Sequence, residues 1–135
     1  MSMKQKFKNL LHTEHPQHEI LALAMVGIGL LLISNDNYFF WPPFLVNFLN
    51  DDLIGGIFVV IGILIFKWAQ STSGKIYSNR NLLIIAAGLL AFASSAEFVL
   101  GVISHNPHMY MTGFVELIVM MFDFSIIGKS KKHNY

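Results

Sequence analysis

Between Asn81 and Ser104 the chain runs through an uncharged, largely apolar stretch, Leu82 to Ala96, meets a single acid at Glu97, and then continues to Ser104. Twenty-four residues at about 1.5 Å each give roughly 36 Å of helix, enough to cross a hydrocarbon core of about 30 Å with some tilt. The stretch reads as a membrane span with a carboxylate inside it. Three more stretches share its character: Ile20 to Ile33, Leu53 to Phe66 and Met109 to Ile127. With 54% hydrophobic and 13% charged residues, the chain is far more apolar than a soluble domain of its size.

The expected fold is therefore all-α and integral to a membrane. It is a single four-span domain over residues 1–135, with spans near 17–34, 52–69, 81–104 and 108–127. The first strictly apolar run is short, about 21 Å as a helix, and needs Pro16 to Glu19 to help it cross. Pro16 suits the first turn of that helix. Ser34-Asn35-Asp36-Asn37 lacks a small-x-small cleavage pattern, so the first span is expected to stay uncleaved. Between spans 1 and 2, Tyr38-Phe39-Phe40-Trp41-Pro42-Pro43-Phe44 joins interface-seeking rings to a double proline, and is expected to lie along the bilayer surface. Phe44 to Leu49 is a short in-plane helix or a shallow re-entrant turn. Asn50, Asp51 and Asp52 offer a cap for the second span, and Asn79 a cap for the third. Before the first span, Lys4, Lys6 and Lys8 alternate with Phe7, Leu10 and Leu11, either as a short amphipathic anchor or as a solvated basic tail.

Charge distribution orients the chain. If four spans alternate, the tails 1–12 and 128–135 and the connection between spans 2 and 3 share one side, and hold all 9 lysines and arginines. The other side holds Asp36, Asp51, Asp52, His105 and His108 and no strong base. Loop lysines and arginines set orientation, so both termini are expected in the cytoplasm, with a bacterial cytoplasmic membrane as the location. A net charge of +1 gives no field for nucleic acid. The absence of cysteine excludes disulfides, thiolate metal sites and a cysteine nucleophile. No phosphate-binding glycine loop, nucleophile elbow or paired zinc-histidine motif occurs, so neither enzymatic activity nor a cofactor is expected.

The residues that could carry chemistry are buried acids. Glu97 and Glu116 lie equally far from the turn centred between Asn106 and Pro107, which predicts one depth for both if spans 3 and 4 pack antiparallel. Ala87, Ser94 and Gly101 recur every seven residues beside Glu97, and Gly113, Glu116, Met120 and Asp123 form one seam on the fourth span. A carboxylate in hydrocarbon costs about 2.5–3.5 kcal/mol even on the lenient insertion scale, so these acids should face protein or water. A pair at one depth can share a proton, hold a cation or bind a cationic solute. Alternatively the acids only join helices, with Ser94, Ser95 or Thr112 as partners, in a holin-like assembly, an immunity protein or an accessory subunit. Asp123 is expected to be satisfied by Lys129 or headgroup water. His12, His15 and His18, near Glu14 and Glu19, are weaker candidates for metal ligands, and His105 and His108 for pH sensing. Gly27, Gly29, Gly55 and Gly62 are expected at helix contacts. Four helices make a thin bundle, so a homo-oligomer or a larger membrane partner is expected besides the lipid bilayer and a small cation.

Topology is directly testable. Cysteines introduced at Ser73 and Asn106 should react with membrane-impermeant reagents from opposite sides; labelling from the same side breaks the four-span arrangement.

Overall fold

A computed structural model describes residues 2–11, 15–35, 43–44, 46–49, 52–70 and 76–132. These are helical apart from turns and short connections: α1 (Met3–Leu11), α2 (Pro16–Ser34), α3 (Val46–Leu49), α4 (Asp52–Gln70), α5 (Ile76–Ser104) and α6 (Pro107–Lys132). The four longest, α2, α4, α5 and α6, are long and apolar enough to cross a membrane. Each contains one of the stretches expected from the sequence. Pro16 stands at the start of α2, where its missing N–H costs no hydrogen bond.

Of the two alternatives for the basic start, residues 3–11 take the helical one. Three local expectations change, the first being that α6 runs on to Lys132 instead of ending at Ile127. Asn79 lies inside α5 and does not cap it, because that helix starts at Ile76. Gly27 is not a contact position: a methyl group there would meet nothing within 4 Å. Pro43 and Phe44 form an exposed turn before α3. Residues 38–42 of the aromatic segment, together with His12, Glu14, Asp36, Asn50, Asp51 and residues 71–75, lie outside the described residues.

The helices associate as two hairpins, α2 with α4 and α5 with α6, joined by lesser contacts of α4 with α5 and α2 with α6. Helix pairs this apolar associate through close backbone approach. In the first hairpin it comes from glycine. A methyl built on Gly29 would lie 2.6 Å from the carbonyl oxygen of Gly55, and one on Gly62 2.9 Å from that of Ala22. Ala22 and Gly29, like Gly55, Gly62 and Ala69, are spaced by seven, the repeat that keeps one face of each helix on its neighbour. Phe58, Leu21, Met25 and Ile65 then fill the core with Leu83 and Leu90 of α5 and Ile126 of α6.

This geometry separates two kinds of glycine. Gly29→Ala is expected to cost about 1–3 kcal/mol by overpacking. Gly27→Ala and Gly56→Ala should leave stability unchanged or slightly raised, since an added methyl meets nothing within 4 Å at either. Thermal unfolding of the purified protein in detergent reads both outcomes.

Candidate functional site

The second hairpin holds the acids. Ser94 on α5 donates from Oγ to the carbonyl oxygen of Gly113 on α6 at 2.9 Å. A Cβ built on Gly113 would stand 3.3 Å from Cβ of Glu97 and 3.2 Å from the Phe98 ring. Gly101 packs on the Tyr110 ring in the same way. The expected small-residue row on α5 is thus the seam, with Ala87, Ser94 and Gly101 all buried.

The seam also fixes the register, and here the expectation of one depth is corrected. Glu97 lies opposite Gly113, so Glu116 sits three residues further along α6, about 4.5 Å deeper from the turn. Side chains on a helix tilt toward its N-terminus. Because α5 and α6 are antiparallel, Glu97 leans away from the turn and Glu116 leans toward it. The two side chains therefore lean toward each other's level along the seam. Glu97 is 2% exposed, Glu116 5% and Asp123 0%.

The hydroxyl groups expected as structural partners are committed elsewhere. Ser94 donates to Gly113, Ser95 to the carbonyl of Ala91 at 2.7 Å and Thr112 to that of His108 at 3.0 Å. Each hydroxyl has one proton to give, so none of these three donates to a carboxylate. Oε2 of Glu116 and both oxygens of Asp123 have no hydrogen-bond partner among the described residues. Lys129 does not satisfy Asp123. Six residues along a helix turn it to another face, and its side chain is exposed.

The histidines fall into two groups away from the acids. His105 and His108 are exposed parts of the α5–α6 turn. His105 adopts a left-handed φ of 52°, and Asn106 caps α6 by accepting the backbone N–H of His108 on Oδ1 at 3.1 Å. At the opposite end of the bundle His15 and His18 pack against Trp68 of α4, with ring centroids 4.8 and 4.7 Å away. His18, only 6% exposed, also meets Asn79 of α5 at 3.0 Å. Since Asn79 presents an oxygen, which only accepts, Nε2 of His18 carries the proton. Among the described residues no three histidine, aspartate or glutamate side chains converge as a metal-ligand set. His15 and His18 instead serve a three-helix junction. The nearest outer groove, about 580 Å³, is lined by apolar residues such as Phe7, Ile20 and Phe66, and by Glu19, but by none of the three buried acids.

Sequence reasoning gives His18 no partner. Asn79 is one of two amides, with Asn81, at the start of the third apolar stretch, and nothing local singles it out. His18→Ala and Asn79→Ala are each expected to cost about 0.5–1.5 kcal/mol, and the double variant less than the sum. A double-mutant cycle on thermal unfolding checks this; full additivity would dissolve the bridge.

No protein-family model, curated protein or solved structure matches the chain, so its activity must be inferred from its own side chains.

Proposed function

We propose that this chain is a small multi-pass membrane protein that moves protons, cations or a cationic solute by way of Glu97 and Glu116. The observation that carries the proposal is the placement of Glu97 and Glu116 on one seam of a helix hairpin, within a turn of each other in register and 2% and 5% exposed, with the neighbouring hydroxyls donated to backbone carbonyls. Acids that only joined helices would be expected to use those hydroxyls. A carboxyl pair kept inside an apolar bundle, with every lysine and arginine at its ends, suits a group that gains and loses a positive ion.

In this reading both termini face the cytoplasm, since loop lysines and arginines all fall on the side of the termini. The cell membrane of a bacterium is the proposed location. A second copy or a larger membrane partner widens the bundle, because four thin helices alone enclose little space. The protein performs no covalent chemistry, needs no cofactor and has no nucleic-acid partner.

Flux into liposomes tests the proposal. Purified protein is expected to carry protons or monovalent cations, and Glu97→Gln or Glu116→Gln to slow the flux by about a hundredfold while the protein remains folded. If both variants conduct like the unmodified chain, the acids are structural. The protein is then a non-enzymatic helical module, either a holin-like assembly, an immunity protein or an accessory subunit.

A further inference from the structure

The acid row on α6 does not stop at Glu116. Asp123 lies seven residues on, about 10.5 Å further along the same face, and is the most deeply buried of the three acids at 0% exposure. A structural aspartate in a helix bundle accepts backbone N–H groups or pairs with a base. Asp123 does neither, as both of its oxygens lack a hydrogen-bond partner among the described residues. Lys67, Arg80 and Lys129, toward the basic end of α4, α5 and α6, all have exposed side chains. Leaving a buried acceptor unsatisfied is costly, so a residue with only a packing role would be better as leucine.

What surrounds the acids has a direction. Toward the turn, Leu100 packs with Leu32, Ala96 and Met109. Toward the other end, Leu21, Leu83 and Ile126 belong to the fully buried core, and by their places along the helices they lie between Asp123 and the His18–Asn79 bridge. Leu90 of the same core stands, by its place on α5, between Glu116 and Asp123, so apolar packing separates Asp123 from the glutamates as it separates the acids from both ends of the bundle.

Building on the transport reading above, we propose that Asp123 is a third ion-exchanging group and that the ion it exchanges is the proton. Glu116 and Asp123, about 10.5 Å apart along α6, cannot ligate one metal cation together, whereas each can hold its own proton. Protons pass between the glutamates and Asp123, and from Asp123 toward the basic end, only when the apolar side chains between them part and admit water.

The test combines flux with direct modification. In proteoliposomes under a pH gradient, Asp123→Asn is expected to slow proton flux by about a hundredfold, Asp123→Glu to restore most of it, and sodium or potassium gradients alone to drive none. In the unmodified protein a membrane-soluble carbodiimide, which adds only to protonated carboxyl groups, should label Asp123 by peptide mass spectrometry and block flux. If Glu97→Gln stops flux while Asp123→Asn conducts normally, Asp123 is not an exchanging group and the paired-acid reading stands alone. Flux driven by sodium or potassium gradients alone removes the proton assignment. No flux in the unmodified protein removes both readings. Should Asp123→Asn fail to fold, the labelling decides: an Asp123 that stays unmodified while flux is blocked through Glu97 or Glu116 overturns the proposal.

Discussion

Helices that are apolar over most of their surface have little contrast between faces to direct their packing, and everything in this bundle follows from how its helices meet that constraint. The α2–α4 hairpin meets it by removing side chains. Gly29 and Gly55 bring main chains close enough that even a methyl group would collide, so dispersion acts along the full contact. The α5–α6 hairpin meets it with a hydroxyl, Ser94, reaching across to the carbonyl of Gly113. The first hairpin is an apolar wall. The second is the side that can hold polar groups, and it holds Ser94, Glu97, Glu116 and Asp123 buried.

That division explains why three acids survive inside so narrow a bundle. A carboxyl group in so apolar a bundle is tolerable only when protein surrounds it, and the close packing at Gly113 and Gly101 keeps the seam tight around it. Large apolar side chains on the other face of α6, among them Phe114, Ile118 and Met121, stay exposed. One helix therefore carries an exposed apolar stripe and an acid stripe on opposite sides.

Much of this was legible in the sequence, because burial of a helix face repeats with a period the chain displays openly. Four apolar stretches become four helices, and the seven-residue rows through Ser94 and Glu116 become the contact faces. The relative depth of the two glutamates was not legible. Counting from the turn assumes ideal symmetry, whereas the register is set by which side chain fits against Gly113. Gly27 and Gly29 look alike in the sequence, yet two residues of helix point them to different sides, and only Gly29 meets α4. The contact of His18 with Asn79 spans 61 positions, and no local pattern announces a hydrogen bond between helices that far apart in the chain.

The turn between α5 and α6 is very short: one left-handed residue, His105, then Asn106 as the cap of the next helix. Nothing in it can absorb a change of length. An inserted or deleted residue would have to be taken up by a helix, and each residue of helix is a rotation of about 100°. Such a change would swing Glu116 and Asp123 together from the seam toward the exposed side of the bundle while altering no side chain of the site. In sequence drift this connection should thus behave unlike an ordinary surface loop, tolerating exchanges of residue type far better than any gap.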